Sequence, residues 1–218
     1  MATADLTLDE LRVALAPGIA AAAAFDGWSG EAVAQAATAA GVDPAVAAYA
    51  FKDGAMAMIA AWIAHVDTRM AQALPETVLA ADPVRERIRK LVLFRLDAVA
   101  GQEESLRRAL AVMAMPQNAA KALRLGWHSA DAMWRLAGDK ATDYNHYTKR
   151  AILAGVYAAT LGVFVDDRSE DKAETHAFLG RRIDGIIRFE KAKAQLLKPG
   201  GDRFSVARLL GRLRYPAR

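Results

Sequence analysis

The residues best able to do chemistry crowd between Trp134 and Arg150, where aromatic, acidic, basic and amide side chains interrupt a chain otherwise rich in alanine and leucine. Asp131 and Arg135 stand four apart around Trp134, so a helix places all three on one face. Two readings fit that trio. An exposed tryptophan among charges is an interface anchor: it buries a large rigid area, while its indole nitrogen and the flanking charges set register. Alternatively, Trp134 belongs to the core and Asp131 and Arg135 form a solvated pair. Further on, Lys149 and Arg150 near the start of a helix oppose its dipole unless acids such as Asp139 or Asp143 pair with them. That pairing would make the block a buried polar cluster fixing a helix junction.

Catalysis is poorly served. The chain has no cysteine, which excludes disulfides, thiolate metal sites and cysteine nucleophiles. Its four histidines, His65, His128, His146 and His176, are scattered, and no spacing puts two metal ligands on one helical face. Phosphate loops, nucleophile elbows and dinucleotide fingerprints are missing as well. The expectation is a protein that is not an enzyme and carries no metal and no cofactor, with no catalytic residue.

The elements that must position these residues are helices. Thr7 with Glu10 forms a capping-box pattern before Leu8, Leu11 and Leu15, and Asp82-Pro83 offers an N-cap followed by proline at the first helical position. Alternating strand patterns are absent, and good helix formers fill the positions between turn residues. The pattern predicts an all-α protein of about nine or ten helices, near 7–24, 29–40, 44–50, 53–73, 83–99, 102–114, 117–137, 143–164, 171–197 and 203–213, with breaks at glycine or proline, Gly138 among them. Three parts follow: an N-terminal module over 1–73, a bundle over 74–198, and a hinge with an amphipathic helix over 199–218.

At 218 residues the chain buries a sizeable core. Its net charge is only +4, but the residues after Asp202 hold five arginines and no acid. In helical projection Val206, Leu209, Leu210 and Leu213 gather within about 100° of arc, opposite Arg208 and Arg212, which suits an anionic membrane interface. Phe204 and Tyr215 flank that stripe, and Pro199-Gly200-Gly201 hinges it to the body. Packing on the body or on a dimer mate is the competing reading of this helix. No apolar run reads as the roughly 20 residues that span a bilayer, and the N-terminus has the acids Asp5, Asp9 and Glu10 instead of a targeting pattern. A cytoplasmic protein peripheral to the inner membrane is the expectation.

Residues Glu31 to Trp62 read as helix, an Ala40-Gly41-Val42 turn, a short helix opened by Asp43-Pro44, and a long helix. This resembles the helix-turn-helix of the tetracycline-repressor (TetR) family, whose short helix enters the major groove of DNA. Here that helix is Pro44-Ala45-Val46-Ala47-Ala48-Tyr49-Ala50, with none of the Arg, Lys, Asn, Gln, Ser or Thr that reads base edges. Lys52 alone falls short of the roughly 6–10 phosphate contacts of a specific binder. The module reads as a retained scaffold with no nucleic-acid partner; a ligand-responsive transcriptional regulator is the alternative.

Met115-Pro116-Gln117-Asn118, Trp134 to Asp139, Thr142 to Arg150, Ala151-Ile152-Leu153-Ala154 and Tyr157 resemble the ubiquinone-biosynthesis accessory proteins of the COQ-nine type, which have a TetR-like fold. The resemblance runs from about Leu8 to Arg214 and is most specific between Met113 and Ile183, where Asp166, Asp167, Ser169, Thr175, Phe178, Leu179 and Arg182 add matches. Arg135 stands where a tyrosine is usual, Ala141 where a serine is, and His146 and His176 where tryptophans are. The resemblance implies a homodimer whose C-terminal bundle holds an isoprenoid lipid, a late ubiquinone precursor, and presents it to demethoxyubiquinone hydroxylase beside Asp131, Trp134 and Arg135. Ile152, Leu153, Val156, Tyr157 and Val163 would furnish one wall of the pocket, and Met113, Met115, Leu123 and Leu125 another. The membrane contact would fall to Phe204, Arg208, Leu209, Leu210, Arg212 and Leu213.

Overall fold

The computed structural model describes residues 6–140 and 144–197. Among them lie ten α-helices and no strand: α1 Leu8–Asp26, α2 Gly30–Ala39, α3 Pro44–Ala50, α4 Ala55–Ala73, α5 Glu76–Leu79, α6 Val84–Asp97, α7 Glu103–Ala114, α8 Ala119–Leu136, α9 Tyr144–Asp166 and α10 Ala173–Leu197. The predicted helix 203–213, with the whole proposed membrane stripe, lies outside the described residues, as do Thr142 and Asp143. The chain divides into two units, residues 1–183 and 184–218. Residue 73 is no divide, because α1 and α4 both pack on α7.

Local chemistry sets the helix ends. Thr7 and Glu10 close the capping box on α1. Ser29 caps α2, and Asp43 accepts from the Ala45 amide at 2.8 Å to open α3. At α6 the sequence reading is off by one position. Pro83 is extended, with ψ 149°, and is itself the N-cap, while the Asp82 carboxylate instead takes Lys90 at 2.7 Å. The four-residue α5, unforeseen in the break after Pro75, exists because Leu79 is fully buried.

Pro17 lies inside α1 and has no amide to offer the Val13 carbonyl one turn back. His65 of α4 faces that carbonyl. Burial, and then the charge of Arg69, hold this histidine below its ordinary pKa. Gly18 lets α1 approach α2 closely, since a Cβ there would stand 3.1 Å from that of Ala36. Two tryptophans tie these first helices to the rest: Trp28 stacks on Trp62 at 5.4 Å and donates to the Ser105 carbonyl of α7, while the Ser105 hydroxyl donates to Ala20 of α1.

The stretch His146–Asp166 is long and apolar enough to cross a bilayer by length and composition, which corrects the reading that no stretch qualifies. In the fold it is a core helix. Its Leu153, Tyr157, Leu161 and Phe164 are buried, and it packs on α6, α7 and α8.

Candidate functional site: an apolar cavity and a polar clasp on one helix pair

Helices α8 and α9 are antiparallel neighbours linked through Gly138, and their facing surfaces differ from end to end. At the linked end α8 stops in a Schellman turn: the Gly138 amide donates to Arg135 and the Asp139 amide to Trp134, both at 2.9 Å, with Gly138 at φ 83°. Arg87 of α6 closes the same end, donating to the Ala137 carbonyl at 3.0 Å. This turn delivers Asp139 to the start of α9, where it takes Lys149 at 2.8 Å and Arg150 at 3.0 Å. Asp131 takes Arg150 on one oxygen at 2.6 Å and the exposed Arg135 on the other at 2.7 Å.

Arg150 is 2% exposed, so this is a buried network. Burial works against the Asp139 carboxylate, but the bonds from Lys149 and Arg150 outweigh it and hold its pKa below the ordinary value. The paired-acid reading of Lys149 and Arg150 therefore holds, with Asp131 as an acid the sequence reading assigned elsewhere. Trp134 is half-buried rather than an exposed anchor, and its indole N–H donates to the Lys149 carbonyl at 3.1 Å. The Lys149 ammonium lies 5.3 Å over its ring. Of the trio Asp131, Trp134 and Arg135, only Arg135 stands fully out in solvent.

Away from that clasp the helices part around a cavity of about 710 Å³, walled by α4, α6, α7, α8 and α9. Its lining is almost wholly apolar. Of the residues expected in its walls, Met113, Leu123, Leu125 and Tyr157 are there, whereas Met115, Ile152, Leu153, Val156 and Val163 are not. Leu153 is fully buried in packing and Met115 sits exposed at the junction of α7 and α8.

What sequence reasoning missed is why there is room. Besides larger side chains such as Leu125 and Tyr157, the α8 lining includes Ala119, Ala122, Gly126 and Ser129, and the α9 lining includes Ala151, Ala154, Gly155 and Ala158. Each set keeps to one helical face, at 119, 122, 126 and 129 on α8 and at 151, 154/155 and 158 on α9. Space comes from side chains that are small. The signal was in the sequence as two spaced alanine and glycine stripes, but attention to bulky apolar residues passed over it. Trp127, also missed, lines the cavity and packs against the exposed Tyr147 with ring centroids 6.0 Å apart. His146 meets the same Tyr147 edge-on at 5.1 Å.

Polar groups in the wall are few. Arg95, 2% exposed, pairs with Asp67, donates to Ser129 at 3.1 Å, and has its guanidinium 4.8 Å from the centre of the Tyr157 ring. Its Nε is buried with no acceptor. Such an orphaned donor costs about 1–3 kcal/mol.

The junction of α9 and α10 is a second polar device. Asp167 accepts from the Ser169 amide and hydroxyl and from the Thr175 amide and hydroxyl, and so satisfies the first turn of α10. Burial opposes its charge, but these donors prevail and hold its pKa far below the ordinary carboxylate range. Among the described residues no three His, Asp or Glu cluster as a metal site would require.

An all-helical body with an N-terminal helix-turn-helix and a cavity under its later helices has the TetR-like fold. A TetR transcriptional regulator from Nitrosomonas europaea matches it with a TM-score of 0.63 and 22% identity, covering 80% of this chain and 96% of that one. At that identity the likeness is one of fold alone.

The finer relationship lies elsewhere. Residues 119–190, which hold α8, α9 and the clasp, match the family model described as COQ9. The chain is 33% identical over 184 residues to the mitochondrial ubiquinone biosynthesis protein COQ9 of Rattus norvegicus, a match covering 80% of this chain and 58% of that protein. The Homo sapiens protein of the same name matches equally, at 33% over 184 residues, with 57% of its length covered. The chain is thus similar to the COQ9 proteins over four fifths of its own length and has a TetR-like fold, and it spans less than three fifths of the length of these curated relatives.

Proposed function

We propose that this protein is a lipid-binding accessory factor of ubiquinone biosynthesis, which holds an isoprenoid quinone precursor in the α8–α9 cavity and hands it to demethoxyubiquinone hydroxylase. It does no chemistry on the lipid itself. The observation that carries the reading is the cavity: about 710 Å³ of apolar space in a helix pair that belongs to the COQ9-matching segment. A prenyl chain needs a dry, shaped volume rather than many donors, and that is what the two small-residue stripes provide.

The proposed hydroxylase contact lies at the clasp end of α8, at Asp131, Trp134 and Arg135. There the clasp fixes a half-buried tryptophan beside the solvent-exposed Arg135. A homodimer is part of the proposal, as is a peripheral position on the quinone-bearing membrane held by the arginine-rich residues after Asp202. The curated relatives are named as mitochondrial proteins, which supports a quinone-bearing membrane as the site of action. Duplex DNA is left out because the exposed residues of α3 are Pro44, Ala45, Val46, Ala48 and Tyr49, none of them a base reader.

Mass spectrometry of lipids that copurify with the protein, extracted without detergent, tests the reading. Recovery of a prenylated quinone or its precursor is the expected result, and a protein that carries none and takes none up from liposomes contradicts it.

A further inference from the structure

The helix-turn-helix module lacks more than base readers. Residues 1–54 carry seven acids against only Arg12 and Lys52, a net charge of −5 in a chain whose net charge is +4. A surface of that sign repels a phosphate backbone and attracts cations. Glu10, Asp26, Glu31, Asp43 and Asp53 are exposed, and among the described residues neither Glu31 nor Asp53 forms an ion pair.

Between Asp43 and Asp53 stands α3, and its outward face is apolar. Val46 is 44% exposed and Tyr49, one turn on, is 58% exposed. Residues three apart on a helix are neighbours, so these two make one patch. Behind the patch the helix is anchored: Ala47 and Ala50 are buried, and the Ala50 carbonyl accepts from Arg12 of α1 at 2.7 Å. The Tyr49 ring already holds a cation, with the Lys52 ammonium 5.1 Å from its centre. A guanidinium suits such a ring at least as well. The occupant that fits is therefore a segment with both apolar and cationic side chains.

The chain itself contains one. Residues 203–218 hold five arginines and no acid, interleaved with Phe204, Val206, Leu209, Leu210 and Leu213. Their charge of +5 equals that of the module and opposes it. Resting on the reading of this protein as a membrane-peripheral homodimer, we propose that residues 203–218 of one copy bind the α3 face of a second copy. Val46 and Tyr49 receive the apolar side chains, and the module's carboxylates receive the arginines. The exchange is reciprocal, so it closes a two-fold dimer instead of building an open chain of copies. It also competes with the bilayer, because an arginine held by a carboxylate is not on a lipid headgroup. The acidic module holds the tail while the protein is off the membrane, and an anionic surface draws it away.

The test uses the full-length chain in sedimentation velocity and in co-sedimentation with vesicles of phosphatidylcholine and phosphatidylglycerol. Two paired substitutions are compared, Val46→Ser with Tyr49→Ser on the face and Arg208→Ser with Arg212→Ser on the tail. Each pair should weaken the dimer by about tenfold, and all four together little more than either pair, since both remove one contact. The face pair should also bind the vesicles about threefold more tightly than the wild type, because its arginines are no longer engaged. If the serines disturb α3, Glu31→Gln with Asp53→Asn makes the same comparison by removing charge alone. A dimer that the face substitutions leave intact overturns the exchange between copies, and so do losses that simply add. Vesicle binding that the face pair leaves unchanged overturns the competition with the membrane. A wild type that stays monomeric overturns the exchange together with the dimer reading beneath it, while lipid binding in the cavity keeps its separate test by mass spectrometry.

Discussion

One pair of helices has two opposite ends. Where α8 turns into α9, opposite charges pair: the buried Arg150 sits between Asp131 and Asp139, with the part-exposed Lys149 beside them. Farther along, the same helices face each other with Ala122, Gly126, Ala154, Gly155 and Ala158, and the space between stays open. The first end spends polar groups on rigidity; the second omits side chains to leave volume. A cavity persists between packed helices because a clasp elsewhere on the pair holds their spacing, and so stability and binding should separate by mutation.

The clasp should give the largest effect. Replacing Arg150 with Met removes the buried cation shared by Asp131 and Asp139, leaving them only the more exposed Arg135 and Lys149, and should cost about 3–5 kcal/mol in chemical denaturation. Replacing Arg135, the other arginine on Asp131, with Ala should cost at most about 1 kcal/mol, because that side chain is 73% exposed. Equal losses from the two would mean that burial is not what makes the clasp.

The Asp167 cap should rank next. Asp167→Asn should lose about 0.5–2 kcal/mol at neutral pH. The folded pKa of Asp167 lies below its unfolded value, so its contribution is fully present above the unfolded value and is lost as pH falls through the folded one. The stability gap between wild type and variant should therefore narrow below about pH 4, the ordinary carboxylate range. A gap that is constant down to strong acid would contradict the bonding pattern.

The smallest effect has the opposite sign. No atom lies within 4 Å of a Cβ built on Gly126, so Gly126→Ala should stabilise α8 by about 0.5–1 kcal/mol. Destabilisation would mean the helices meet there after all.

How much of this the sequence disclosed follows the same division. The Thr7–Glu10 cap, the Gly138 stop and the pairing of Lys149 and Arg150 with Asp139 were legible, because each depends on residues near in sequence with matching charge or backbone geometry. The partners supplied from afar were not: Asp131 of α8 joining Arg150 of α9, Lys90 diverting Asp82 from its capping role, and Lys149 occupying the Trp134 indole. The cavity was half legible. Met113, Leu123 and Tyr157 were found, while Ile152, Leu153 and Val156 were sought in a wall that their bulk would have closed. Hydrophobic periodicity marks which face is buried, but it does not distinguish a filled interface from a hollow one.

The most direct measurement is a titration of a diprenylated benzoquinone into the wild-type protein and into Gly155→Leu. A Cβ at Gly155 meets nothing within 4 Å, so the leucine side chain should enter the void without strain. The account predicts a variant as stable as the wild type whose affinity falls by about a hundredfold or more, equivalent to roughly 2.7 kcal/mol. Undiminished affinity in a folded Gly155→Leu protein would contradict the claim that the space between α8 and α9 is where the lipid resides.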